Sequence, residues 1–133
     1  MTRKSLLYKI KGRGATFRLV GSKNPKEEVS SWGAGVFRGK EIRVLETIVL
    51  TRKGSVDLFN GRGAVSGLGG SYAQYHIEGV AGGTGDFGEK ITGKMIFDNK
   101  CTGAFKTFKN TKALFDTAVT PKGGFETRVW KSR

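Results

Sequence analysis

Glu41-Ile42-Arg43-Val44-Leu45-Glu46-Thr47-Ile48-Val49-Leu50 is the stretch that decides the fold. Successive side chains of an extended chain point to opposite faces. Ile42, Val44, Glu46, Ile48 and Leu50 therefore share one face, and Arg43, Leu45, Thr47 and Val49 share the other. Both faces are largely apolar, the pattern of a strand packed on two sides. Gly39-Lys40 before it and Arg52-Lys53-Gly54-Ser55 after it read as hairpin connections.

Outward from this strand the same reading repeats at short intervals. Residues 6–11 and 15–20 form one long strand bent at Gly12-Arg13-Gly14. Residues 31–38, 56–66, 72–80, 91–98, 103–108 and 125–131 follow, with Gly61 and Gly63 as bend points in the second of these. Gly-Arg-Gly-Ala recurs at 12–15 and 61–64 without matching flanks, which marks a reused bend. Residues 21–28 are a polar loop. Helical periodicity is nearly absent, and the one helix expected covers residues 110–120, capped by Asn110 or Thr111 and stopped by Pro121 and Gly123. Its Ala113, Leu114 and Phe115 would brace one end of a barrel. Phe125-Glu126-Thr127-Arg128-Val129-Trp130-Lys131 alternates cleanly and is expected to pair with the first strand, closing the sheet and removing its edges. The reading is an all-β single domain over residues 1–133, a small antiparallel β-barrel of about eight strands with one short helix near the C-terminus.

Composition agrees. A chain of 133 residues suits one core. Nine Phe, three Tyr and two Trp supply that core with few, large side chains, although only 37% of residues are hydrophobic. The 21 glycines are scattered among β-branched and aromatic residues, where strongly curved sheets need them. A lone cysteine, Cys101, excludes an internal disulfide. The apolar run near the N-terminus is broken by Lys9 and Lys11, too early for a signal peptide, and no stretch has the length of a membrane span. Cytoplasm is the expected compartment.

The segment from Gly79 to Gly93 is rich in glycine but lacks the G-x-x-x-x-G-K-[ST] of a phosphate loop, and it joins strand to strand. Gly82-Gly83-Thr84-Gly85-Asp86-Phe87, followed by Gly93 opening the next strand, resembles a hairpin of the allene oxide cyclase and dirigent group of eight-stranded barrels. The resemblance covers roughly residues 32–108. It implies a lumen that confines a small apolar ligand and steers its cyclisation, isomerisation or coupling by proximity, in a protein of a group that often forms oligomers. Within such a lumen Glu46, a carboxylate on an otherwise apolar face, is the first candidate acid or base. Tyr72, Tyr75 and Glu78 on another strand are further candidates. The competing reading of Glu46 is a carboxylate paired with a neighbouring Arg or Lys, or facing solvent.

Other chemistry is thinly represented. His76 is the single histidine and belongs to no cluster with metal-ligand spacing; neither metal nor cofactor is expected. The net charge of +13 makes nucleic acid or another polyanion a second class of partner. If the terminal strands pair, Arg3, Lys4, Lys9, Lys11, Arg128, Lys131 and Arg133 gather on one side. Tyr8, Phe17, Phe105, Phe108 and Trp130 lie near them in the chain and, if exposed, would make a stacking platform for single strands. The two functional readings are thus an apolar-ligand barrel and a basic nucleic-acid-binding module without enzymatic activity. The state of the lumen separates them.

Overall fold

The computed structural model describes residues 5–21, 26–83, 85, 86 and 88–132, with backbone alone at 15 and 68. Eight strands run in chain order: β1 (Ser5–Val20), β2 (Lys26–Phe37), β3 (Lys40–Lys53), β4 (Val56–Gly67), β5 (Tyr72–Gly83), β6 (Glu89–Thr102), β7 (Lys112–Val119) and β8 (Gly124–Lys131). Each pairs antiparallel with the next, and β8 returns to β1, so the sheet is a closed up-and-down barrel. Among the described residues no helix is long and apolar enough to cross a membrane.

Local chemistry accounts for the connections. Phe37 pairs with Lys40 around Arg38 and Gly39, whose φ values of 51° and 78° are those of a twisted two-residue hairpin. β1 is continuous through Gly12-Arg13-Gly14, and its register against β2 shifts between Gly14 and Thr16, the bend expected there. Gly79 and Gly93 face one another across β5 and β6. A Cβ on Gly93 would lie 2.1 Å from the Glu78 carbonyl oxygen, so a tight approach of the two strands requires glycine there. At the end of this hairpin Gly83 pairs with Glu89, and the Asp86 carboxylate accepts a hydrogen bond from the Gly88 N–H at 3.0 Å. Thr84 and Phe87 of the Gly82–Phe87 motif lie outside the described residues.

The expected helix and one expected strand change places. Residues 110–120 are not helical; Lys112–Val119 is β7. Its Ala113, Phe115, Thr117 and Val119 alternate inward, and closing the sheet between β6 and β8 needs this strand. Residues 103–108, expected as a strand, form a short 3-10 helix. Gly103 opens it at φ 61°, and a three-residue turn puts Phe105 and Phe108 on the same side. The brace at one end of the barrel is therefore this pair and not residues 113–115.

Phe105 and Phe108 stack at 5.5 Å between ring centres. Phe108 also lies 4.8 Å from Phe97 and 5.0 Å from Phe37, and Tyr8 packs behind it at 6.1 Å. Phe97, Phe105 and Phe108 are all 2% exposed or less. This aromatic cluster fills one half of the lumen and seals that end. Truncating its central ring should cost a large share of the stability of a small domain: Phe108→Ala is expected to lower unfolding free energy by about 3–5 kcal/mol. Leu45→Ala, at an outward position, should change it by about 0.5 kcal/mol or less. Urea titrations followed by tryptophan fluorescence measure both. A cost below about 1 kcal/mol for Phe108→Ala would show that the plug does not belong to the cooperative core.

Candidate functional site

The other half of the lumen is empty. A cavity of about 410 Å³ opens at the end opposite the plug, with walls that include Ile48, Leu50, Phe59, Ile77, Ile91 and Phe115. Every strand sends alternate side chains into it, so the apolar walls are the inward half of the alternation read from the sequence. The closed sheet satisfies the backbone hydrogen bonds, so the walls can be apolar without an unpaired edge.

Glu46 lies where the empty half meets the filled half, since it lines both the open cavity and a void of about 20 Å³ beneath it. It is half-buried, and because it points into the lumen the exposure it keeps is exposure to the cavity. The Tyr75 hydroxyl donates to Glu46 Oε1 at 2.7 Å. Among the described residues no Arg or Lys forms an ion pair with Glu46. Desolvation raises the Glu46 carboxyl above the usual carboxylate range, and the Tyr75 hydrogen bond offsets part of that. Burial also pushes the Tyr75 phenol well up; the Glu46 charge and neighbouring Tyr8 add to it. Tyr8 completes the group below, its phenol raised by burial and then by Glu46, with its hydroxyl 3.5 Å from Met95 Sδ.

This triad exists because β4 leaves room for it. Gly63 pairs with Glu46 on one side and with Tyr75 on the other. A Cβ at Gly63 would come within 2.4 Å of the Tyr75 hydroxyl oxygen. The glycine read from sequence as a bend is thus also the gap through which Tyr75 reaches Glu46. Ser31 faces Glu46 from β2, and Thr117 and Thr127 share a hydrogen bond of 2.7 Å on the opposite wall. These are the polar groups around the floor of the chamber; Glu27, Glu89 and Lys122 line it as well.

Of the four residues expected in the lumen, Glu46 and Tyr75 meet there and Tyr72 and Glu78 do not. Strand alternation puts Ala73, Tyr75 and Ile77 inside and Tyr72, His76 and Glu78 outside. The Tyr72 hydroxyl accepts from Gln74 Nε2 at 2.7 Å on that outer face. Glu78 is exposed, opposite Lys94. Tyr8 was missed as a lumen group, yet the parity of its strand could have found it; Glu27 and Glu89, which also line the cavity, lie at the very start of β2 and β6, in stretches the sequence reading gave to connections. No group of metal-ligating side chains occurs among the described residues. Cys101 is a buried free thiol with its pKa raised, first by desolvation.

The terminal strands do pair, and Lys9 lies opposite Arg128. Lys9, Lys11, Arg128 and Lys131 are exposed, while Arg3, Lys4 and Arg133 lie outside the described residues. Glu126 stands among the basic groups, 3.4 Å from Lys9 and 3.3 Å from Arg128. Tyr8, Phe105 and Phe108 are core, so three of the aromatics expected to make a stacking platform are unavailable to bases.

Comparison with known proteins bears on the architecture. No family profile matches the chain, and no curated protein matches it. A crystal structure of a protein of unknown function from Clostridium acetobutylicum superposes with a TM-score of 0.77 over 99% of this chain and 100% of that one, at 11% sequence identity. At that identity the likeness shows the fold alone.

Two outcomes follow from the triad. Because folding raises the Glu46 pKa, the folded state holds its proton more tightly than the unfolded chain. Stability is then fully retained below the ordinary carboxylate pKa and falls as pH rises through the folded value. Glu46→Gln keeps an acceptor for Tyr75 and removes the charge. Its stability relative to the parent should therefore grow over that window and vanish at low pH; parallel urea-stability profiles across pH would refute the assignment. Gly63→Ala should separate Tyr75 from Glu46. Because that hydrogen bond holds the carboxyl pKa down, the expected signature is a further rise in the Glu46 pKa, read by carbon-13 NMR of the carboxyl; an unchanged or lower pKa would refute the pairing.

Proposed function

We propose that the barrel binds a small, largely apolar molecule in its open half, with Glu46 and Tyr75 as the proton-handling pair at the base. The observation that carries this reading is the position of Glu46 at the floor of a 410 Å³ apolar cavity, hydrogen-bonded by a buried phenol and free of any ion pair among the described residues. Ionisable groups are rarely left in such surroundings, where their charged form is costly. A carboxyl whose pKa is raised keeps its proton to higher pH than an ordinary carboxylate, and so exchanges it with a ligand more readily. Tyr75 orients the carboxylate and, with its own phenol held protonated, donates to whichever oxygen carries charge.

The reaction class that fits is cyclisation or isomerisation of the confined ligand, in keeping with the allene oxide cyclase and dirigent resemblance of the Gly82–Phe87 hairpin. Such reactions need a ligand held in one conformation and one proton moved, and the chamber supplies walls and an acid. A surface that binds nucleic acid is the weaker reading. Its support is the +13 charge and the Lys9–Arg128 juxtaposition, and Glu126 neutralises part of that stripe.

Titration with the neutral fluorescent probe N-phenyl-1-naphthylamine tests the reading. Saturable binding at one site is expected. Ile48→Trp, which fills the cavity from its wall, should weaken binding at least tenfold, and Glu46→Gln should retain it. Circular dichroism checks that each variant folds. Binding unchanged by Ile48→Trp would place the probe elsewhere and overturn the proposal. Salt-sensitive binding of oligonucleotides near physiological ionic strength, lost on changing Lys9, Lys11 and Arg128 to Gln, would favour the other reading.

A further inference from the structure

We infer that the cavity selects an apolar ligand carrying a positive charge, an organic ammonium or similar cation, over neutral and anionic molecules of the same shape. This rests on the cavity reading above and narrows it to a ligand class. Its ground is an inversion of charge between the inside and the outside of the protein. The whole chain carries +13. The ionisable groups lining the cavity are Glu27, Glu46 and Glu89 against Lys122 alone.

The three carboxylates are spread along the path a ligand takes. Glu27 on β2 and Glu89 on β6 belong to the mouth ends of their strands, and Glu46 is at the floor. Neither Glu27 nor Glu89 forms an ion pair among the described residues, whereas the nearby Asp57 is held by Arg52 at 3.1 Å. Among the side chains lining the cavity, carboxylates thus outnumber cations three to one. Glu89 is shifted upward first by partial burial, then by the charges of Asp57 and Glu27, with Arg52 opposing. The bulk positive field decays over a Debye length of about 8–10 Å, so the groups in the wall govern what is felt inside.

The walls add a second, independent preference. Phe59 and Phe115 meet edge to face at 5.7 Å on the cavity wall, and Phe17 and Phe125 also line it. Aromatic faces attract an alkylammonium while solvating its hydrocarbon part. An anionic headgroup would meet Glu46 at the floor or Glu27 and Glu89 at the mouth. A neutral ligand would gain from the walls and nothing from the acids.

Three probes with one hydrocarbon frame test this: 2-naphthylmethylammonium, 2-naphthylmethanol and 2-naphthoate, titrated calorimetrically near neutral pH. The ammonium should bind roughly tenfold or more tighter than the alcohol, with the carboxylate weakest. Glu27→Gln/Glu89→Gln should shrink the gap while leaving the alcohol within about twofold, and Glu46→Gln should separately shrink it. The ammonium affinity should also climb as pH rises through the Glu46 pKa, with the alcohol flat. The groups around Glu46 are Tyr75 on β5 and Tyr8 on β1, both phenols with raised pKa values, and Ser31, Gly63, Met95 and Thr127, which carry no charge. Equal binding of alcohol and ammonium, or a preference untouched by the three Gln changes, would overturn the inference and leave the cavity reading standing. Failure of all three probes, together with the neutral fluorescent probe, would remove both.

Discussion

An eight-stranded sheet closed on itself has a lumen only wide enough for the side chains that point into it. Every feature of this molecule follows from how that narrow space is divided. Five aromatic side chains, Tyr8, Phe37, Phe97, Phe105 and Phe108, fill one half and leave only a void of about 20 Å³ beneath Glu46. Burial of such rings outweighs the entropy of ordering them, and a short helix delivers two of them where no strand could. With one half carrying the hydrophobic stabilisation, the other half is released from that duty. Its inward side chains, Phe59 and Phe115 among them, line the wall without filling the lumen, and a chamber is left.

The boundary between the halves is the one place where a polar side chain is simultaneously enclosed and reachable. Glu46 occupies it. Were Glu46 one inward position nearer the plug, at Val44, it would be sealed among aromatics; one nearer the mouth, at Ile48, it would be better hydrated. An apolar residue at 46 would suit the barrel's stability better, because an ionisable carboxyl there costs free energy at neutral pH. The cost is partly met by the Tyr75 phenol, which in turn requires that position 63 have no side chain. Three strands thus contribute to one hydrogen bond that the fold does not need for closure.

Much of this was legible in the residues. The double-sided alternation of 41–50 pointed to a strand packed on both faces; only one face is core, since Leu45 is 69% exposed on the other, yet the alternation already puts Glu46 among Ile42, Val44, Ile48 and Leu50. Pairing of the two terminal strands followed from the clean alternation of 125–131. Parity alone would have separated Tyr75 from Tyr72 and Glu78, because an odd offset reverses the face; grouping all three overlooked the period of the strand. The exchange of helix and strand near the C-terminus has a different cause. Residues 103–108 contain two Phe at i and i+3, a spacing that an extended strand would put on opposite faces and a tight helix puts together. Residues 112–119 have few β-branched side chains, so local preference for a strand is weak, and demand from the unclosed sheet between β6 and β8 overrides it. Closure is a property of the whole ring and has no local signature.

The ring is also not closed along its full height. β1 pairs with β8 from Ser5 to Arg13, and the Gly14 N–H reaches the Gly123 carbonyl at 3.3 Å. From Thr16 to Val20 β1 pairs with β2 alone, because β8 begins only at Gly124 after the Thr120–Gly123 turn. The β1–β2 ribbon therefore rises past its neighbour and leaves a slot in the wall beside the mouth. On the inner face of that ribbon Phe17 and Leu19 are 62% and 74% exposed, a large apolar exposure for a chain with so few hydrophobic residues. An unpaired strand edge and uncovered apolar side chains are both liabilities in isolation. Here they flank the open end of the cavity, whose apolar walls match them, and Arg18, held to Glu28 at 3.2 Å on the outer face, keeps a charge on the bare edge. A ligand entering by this slot would exchange water for Phe17 first and for the deeper walls next, so apolar contact is continuous from the rim to Glu46.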